Sequence, residues 1–379
     1  MKILSTHVGS LIRPPELLEF IRKGQVGTPA YEECLKRAVA EVVRRQAEAG
    51  IDIPSDGEFG KNISWSQYAL ERLSGFERRP VVKEKNPFYG GADRARFPAF
   101  YAEMDAAPGG GASADLAVCV GPIAYTGQAQ VQRDIANFKA ALAAAGAKDG
   151  FLPVAAPASV IPDRRNEHYA SDEECLQAIA DAMRTEYRAI VDAGLLLQLD
   201  DARLAVTYDR MVPPASFEDY RSWVARHVEV LNAALEGIPE ERVRYHVCWG
   251  SWPGPHTTDV PLAGIVDLIL RVRAGAYLIE AANPRHEHEW RVWEKTRLPA
   301  GRRLVPGVIS HATSVVEHPE LVAERIERFA RLLGRESVMA GSDCGFAQGP
   351  FHRRVHPSIV WAKLEALAAG AALATQKLY

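Results

Sequence analysis

The chain contains only five cysteines in 379 residues. An odd number without a close-spaced framework excludes a disulfide-stapled scaffold and points to a reducing compartment. Charge of one sign is equally scarce. The formal net charge of −3 leaves no broad basic field for nucleic acid or anionic lipid. No apolar run approaches the roughly 18–20 residues that cross a bilayer. No signal-peptide core follows Met1-Lys2-Ile3-Leu4, which runs straight into a strand-like segment. Internal repeats and low-complexity linkers are missing too. These absences predict a cytoplasmic protein whose partners are neither nucleic acid nor membrane. The hydrophobic share of 47% and charged share of 25% are ordinary for globular chains, so a sizeable core is expected.

What is present is an alternation of strands and helices. Strand-like runs are read at 3–10, 51–58, 116–123, 151–156, 195–201, 243–248, 276–280, 304–309 and 337–341. Helical periodicity covers 31–49, 64–73, 129–145, 171–194, 216–235, 261–273, 319–333 and the stretch from Ser358. Such alternation implies a parallel sheet. Nine strand-like runs exceed the eight of a closed barrel, so Leu116–Ile123 is set aside as a partner for the irregular stretch Gly75–Ala114. A loop of that length reads as a lid or a subunit contact. The predicted fold is α/β, a TIM-type (β/α)8 barrel forming one domain over 1–379, with a long insertion at 75–125 after the second helix.

Three of the five cysteines, Cys34, Cys119 and Cys175, sit inside regular elements and read as inert buried thiols. Cys248 and Cys344 each end a strand-like run beside a glycine-containing loop. His246 and Cys248 stand two apart, and alternate strand residues share a face. Glu280 and Cys344 lie at the ends of two further strands. One nitrogen, two thiolates and a carboxylate suit tetrahedral zinc. The cluster His286-Glu-His288 reads as a solvated helix start. In barrels of this type chemistry sits at the C-terminal ends of the strands. Those ends carry Gly9-Ser10, Glu58, Asp200, His246, Cys248, Glu280 and His311, with Cys344 just beyond, which suggests a ring around one pocket. Trp249 and Trp252 either wall that pocket or pack the loop after the zinc strand.

These residues resemble the cobalamin-independent methionine synthase family, specifically its C-terminal catalytic barrel. Thr6-His-Val-Gly-Ser10 is similar to the family's Gly-Ser loop, Ser55-Asp-Gly-Glu58 to its Gly-Glu strand end, and Leu199-Asp200 to its Ile-Asp-Glu-Pro strand end. Tyr245-His-Val-Cys248, Ile279-Glu280 and Ser342-Asp-Cys-Gly345 resemble its zinc motifs in the same order. The resemblance implies zinc held by His246, Cys248, Glu280 and Cys344. It implies contacts to an amino-acid thiol from Gly9, Ser10, Glu58 and Asp200, and a proton donor at His311. Full-length members have two barrels; this length suits the single-barrel relatives, which include epoxyalkane:coenzyme M transferases.

The implied activity is a zinc-dependent S-alkyltransfer resembling that of 5-methyltetrahydropteroyltriglutamate–homocysteine S-methyltransferase. Zinc removes the thiol proton, and the thiolate attacks a methyl or alkyl donor while His311 protonates the leaving group. Homocysteine should use the Glu58 and Asp200 carboxylates for its ammonium. Coenzyme M with an epoxide should instead need an arginine clamp for its sulfonate, for which Arg13 and Arg94 are available. A third reading is a non-catalytic metal-dependent barrel that carries a thiol or methyl group. The expected partners are a small-molecule thiol and an alkyl donor, with homo-oligomerisation left open.

Overall fold

The computed structural model describes residues 2–107, 111 and 115–379. Six parallel strands follow one another in chain order around one sheet: Phe151–Ala155, Leu196–Asp200, Val243–Val247, Ala276–Ile279, Arg303–Ile309 and Gly341–Ser342. Every residue of Phe151–Ala155 and of Val243–Val247 is buried. That is why these stretches read as unbroken apolar runs, as parallel strands covered on both faces do. The sheet curls into a half-barrel. Single parallel bridges, Ser5 to Ala340, Thr6 to Ile53 and Ser55 to Phe151, lead from its last strand back to its first. Segments 3–10 and 51–58 were expected as full strands; here they contribute only these bridges.

Helices cover the outer face. Ser171 caps helix Asp172–Asp192 by accepting from the Glu174 amide, and Ser216 and Asp219 form a reciprocal cap on helix Phe217–Ala234. The main core lies between these helices and the sheet. A second, smaller cluster joins Val8, Ile53, Phe151, Leu278, Val305 and Met339, one from each of six segments around the sheet. Arg244 crosses the same interior, stacking 3.7 Å over the Phe151 ring and donating to Thr6 Oγ1 and the His7 carbonyl, both at 3.0 Å.

Several expectations are corrected. The stretch Gly75–Ala114 is not irregular throughout: it holds strand Phe76–Pro80 and helices Ala92–Arg96 and Pro98–Ala106, while 108–110 and 112–114 lie outside the described residues. Strand Asp115–Cys119 pairs antiparallel with Phe76–Pro80, outside the parallel sheet, as the strand count required. The helix expected over 261–273 breaks into a 3-10 turn, Leu262–Gly264, and one short helix, Val266–Ile269; at Gly264 the Phe217 ring leaves no room for a Cβ. The last strand is Gly341–Ser342, with a register shift between Gly307 and Ile309, and the expected run before it makes only single bridges, Val338 to Leu304 and Ala340 to Ser5.

One helix also departs from the expectation that no segment has bilayer-spanning character. Pro357–Leu378 has the length and composition for it, with a mean hydropathy of 1.2. It packs against helix Pro319–Leu333 and strand Arg303–Ile309. Lys363, fully buried within it, pairs with Glu317 at 2.8 Å. An apolar composition here serves a protein core.

Candidate metal centre

The Val243–Val247 strand ends by turning His246 inward and delivering Cys248 to the same side. Gly341–Ser342, at the far edge of the sheet, delivers Cys344. One ligand atom from each of His246, Cys248 and Cys344 lies within 4.8 Å of the other two, and all three residues are buried. The orientation of His246 is fixed from behind, where Nδ1 lies 3.0 Å from Asp200 Oδ1. Its other nitrogen, Nε2, is buried without a hydrogen-bond partner. A buried, unpartnered imidazole nitrogen facing two thiols is a costly arrangement in a protein interior and the arrangement of a metal ligand. The residues therefore fit a thiophilic ion such as zinc.

The electrostatics agree. Burial opposes charge on His246, but the Asp200 hydrogen bond and the neighbouring Cys344 sulfur raise its pKa to about 10. The Cys344 thiol is drawn well below its ordinary range by the hydrogen bond from Cys248 and by the His246 and His311 imidazoles. Cys248 moves the opposite way, through that same sulfur contact and burial. Ser251 Oγ donates to Cys344 Sγ at 3.0 Å. The pair thus favours a thiolate at Cys344 and a thiol at Cys248.

Glu280 is buried close by but stands outside the three-ligand cluster. Its Oε1 accepts the Trp249 amide at 2.8 Å and its Oε2 accepts Asn283 Nδ2 at 2.7 Å. Burial, then the Asp343 charge, raises its pKa well above the carboxylate range. It makes no pair with Arg285, which donates to the Thr257 carbonyl. Asp343, which sequence reasoning passed over although it sits inside the Ser342-Asp-Cys-Gly345 motif, holds the centre together. Its Oδ1 accepts the Ala281 and Ala282 amides at 2.8 Å, tying the Glu280 strand end to the Cys344 loop. His286 is not solvated as expected: it lies 2.8 Å from Glu289 and 3.0 Å from Asp259, with its ring 4.5 Å from Trp249. His288 is exposed.

A cavity of about 280 Å3 opens beside the cluster, and Ser10, Glu58, Asp200, His246, Cys248 and Cys344 all line it. Gly9, Glu280 and His311 do not. Gly9 sets the turn instead: at φ +130° any side chain would enter the Pro153 ring, and its carbonyl accepts Ser55 Oγ at 2.8 Å. Glu58 holds a left-handed backbone at φ 62°, an uncommon conformation for a non-glycine residue that recurs at ligand sites. Its carboxylate lies 3.2 Å from Lys61. Burial and the nearby Asp200 raise its pKa to about 7, against the pull of Lys61. His311 is buried with both ring nitrogens unpartnered, and burial lowers its pKa while Cys344 and Asp343 oppose that shift.

The far wall of the cavity is aromatic and basic. Phe88, from the 76–119 segment, and Trp252, from the loop after Cys248, both line it. Trp252 donates to Tyr101 Oη at 3.1 Å, and Gly250, at φ +97°, leaves room for its ring. Neither Arg13 nor Arg94 is available as a clamp. Arg13 donates to the Glu58 and Lys61 carbonyls, and Arg94 grips Asp105 with both terminal nitrogens. The arginines that line the cavity are Arg203, Arg210 and Arg354. No sequence signal marked them.

Comparison with known proteins places this geometry in context. Residues 121–357 match the family described as "Cobalamin-independent synthase, Catalytic domain". The 2-hydroxypropyl-CoM lyase of Xanthobacter autotrophicus is 24% identical over 340 residues, covering 83% of this chain and 80% of that protein. A methionine synthase of Sulfolobus acidocaldarius is 24% identical over 347 residues, covering 90% and 85% respectively. A B12-independent methionine synthase from Shewanella sp. W3-18-1, solved with selenomethionine, superposes with a TM-score of 0.76 at 19% identity, over 100% of this chain and 99% of that one.

Proposed function

The chain belongs to the family of cobalamin-independent synthase catalytic domains, and from that premise we propose that it is a zinc-dependent thiol S-alkyltransferase. The observation that carries this reading is the unpartnered Nε2 of His246 facing Cys248 and Cys344 at the edge of a ligand-sized cavity. Zinc bound there would supply thiol activation, holding the substrate sulfur deprotonated at neutral pH. Glu280 completes the ligand set in this proposal, by exchanging a hydrogen bond to Trp249 or Asn283 for the metal.

The chain's own residues do the rest. Asp200 keeps the His246 ring turned so that Nε2 faces the sulfurs. Ser10, Glu58 and Asp200 form the polar side of the cavity and hold the polar end of the thiol, with Gly9 shaping the turn that presents Ser10. Phe88 and Trp252 exclude water where the alkyl group transfers. His311 is the proton donor in this proposal, as the resemblance implies; both its ring nitrogens are unpartnered, but it stands behind the cavity lining and would have to reach the leaving group past Cys344. The fold reading that accompanies this is a closed (β/α)8 barrel with residues 75–125 inserted as a cap. The bridges through Ser5, Thr6, Ile53 and Ser55, and the interior cluster from Val8 to Met339, support it. All five cysteines are free, consistent with a reducing cytoplasm.

Homocysteine with a methyl donor is the first reading. Coenzyme M with an epoxide is the second, favoured by the likeness to a 2-hydroxypropyl-CoM lyase and by arginines lining the cavity. The deciding experiment measures zinc content and proton release as each thiol is added, in wild type and in Cys344→Ala. About one zinc per chain, with proton release from a thiol that the variant loses, supports the proposal. Freshly purified protein without metal and without proton release overturns it. Metal and proton release with no turnover on any free donor would indicate a carrier.

A further inference from the structure

Arg354 stands apart among the charged groups of the cavity. Arg203 and Arg210 each pair with Asp163, at 2.7 and 2.6 Å. Glu58 has Lys61, and Asp200 has His246. Among the described residues, Arg354 forms neither an ion pair nor a side-chain hydrogen bond, and its Nε is sealed from solvent without a partner. Burial lowers its pKa, and the group that acts against this is the Cys344 sulfur. A half-buried guanidinium without a counter-ion is incompletely solvated, and an anionic ligand in the cavity would supply the missing charge. Gln348, on the same hairpin formed by Ala347–Gly349 and His352–Arg353, also lines the cavity. Its Nε2 donates to the Gly345 carbonyl at 3.2 Å, while its Oε1 is buried without a donor. The hairpin thus presents an unused cationic donor and an unused acceptor beside the sulfur cluster.

Resting on the function proposed above, we infer that Arg354 is the specificity-determining residue that binds the acid end of the thiol substrate. The thiol sulfur must reach His246, Cys248 and Cys344, so a short thiol bearing a carboxylate or a sulfonate carries its charge to the cavity wall. Arg354 meets that anion with two N–H groups in the fork that a guanidinium offers. Gln348 Oε1 accepts a donor from the same end of the ligand, which an α-ammonium has and a sulfonate lacks. The neutral part of the ligand needs neither residue.

The test uses zinc-loaded protein and three thiols: homocysteine, coenzyme M and neutral 2-mercaptoethanol. Affinity and proton release are measured for wild type, Arg354→Gln, Arg354→Lys and Gln348→Leu. Arg354→Gln should weaken the anionic thiol that wild type prefers by about 10- to 100-fold, leave 2-mercaptoethanol binding and zinc content unchanged, and be partly restored by Arg354→Lys. Preference for homocysteine predicts a further loss in Gln348→Leu; preference for coenzyme M predicts none. Equal weakening of charged and neutral thiols, or no weakening of either, overturns the assignment of Arg354 while thiol activation stands. Failure of all three thiols to bind or release protons in wild type overturns both this inference and the function it rests on.

Discussion

Trp252 and Tyr101 are joined by a 3.1 Å hydrogen bond from the indole Nε1 to the phenol oxygen, although 151 residues separate them in the chain. The same phenol donates to Asp93 at 2.9 Å, and Asp93 in turn accepts the His256 and Thr257 amides, each at 3.1 Å. The loop that leaves the Cys248 strand is therefore held in place by the 76–119 segment.

Tyr101→Phe should break this link at both ends, leaving a buried carboxylate and an indole N–H each short of a partner. Stability should fall by about 1–3 kcal/mol, and the apparent affinity for the alkyl donor should fall with zinc content unchanged. Urea denaturation and metal analysis check both; wild-type stability and affinity in the variant would show that the segment merely rests on the loop.

Asp200→Asn removes the negative charge behind His246. Because groups behind a ligating histidine fix its ring and raise its basicity, zinc affinity should fall about 10- to 100-fold in competition with a chelator. Unchanged affinity would confine Asp200 to substrate contact.

His7 is fully buried, with Nε2 2.7 Å from Gln46 Oε1 and Nδ1 accepting the Gly9 amide. Burial lowers its pKa from 6.5 to about 4. As pH falls, the unfolded chain takes up this proton first, so the contribution of His7 to stability is full above about 6.5 and declines down to about 4. The difference of about 2.5 pH units corresponds to about 3 kcal/mol. His7→Gln should therefore gain about that much on wild type between pH 6.5 and 4, measured by denaturation across that range. A constant offset between the two proteins would contradict this.

Glu317→Gln leaves the Lys363 ammonium buried without its counter-charge. Removing one member of a buried pair is expected to cost about 3–5 kcal/mol. Lys363→Met/Glu317→Leu, which removes both charges, should recover most of that loss; an equally unstable double variant would show that packing, not charge, is at stake.

Much of the site was legible because each ligand candidate terminates an apolar run, so one period and one rule about strand ends predicted the register of His246, Cys248 and Cys344. The same rule placed Glu280 correctly at a strand end yet said nothing of the Trp249 amide and Asn283, which hold its carboxylate back from the cluster. Arg354 was illegible for a different reason. It reaches the cavity from a two-stranded hairpin with a register shift, where no hydrophobic period exists to announce direction. The break at Leu262–Gly264 falls where Gly264 lies against Phe217 of another helix, and local pattern carries no trace of such a contact. Segments 3–10 and 51–58 show the converse: their strand character is local, but ladder formation depends on neighbours that meet them at only one or two residues.

The 76–119 segment begins and ends at nearly the same point, since Phe76 is paired with Cys119 and the Val120 amide donates to the Gly75 carbonyl at 2.8 Å. Its length is thereby uncoupled from the spacing of the sheet: residues can be gained or lost beyond that junction without moving the strands, provided that Asp93 and Tyr101 still hold the loop after Cys248. The aromatic wall of the cavity can thus change in length while the strands that carry His246, Cys248 and Cys344 keep their register.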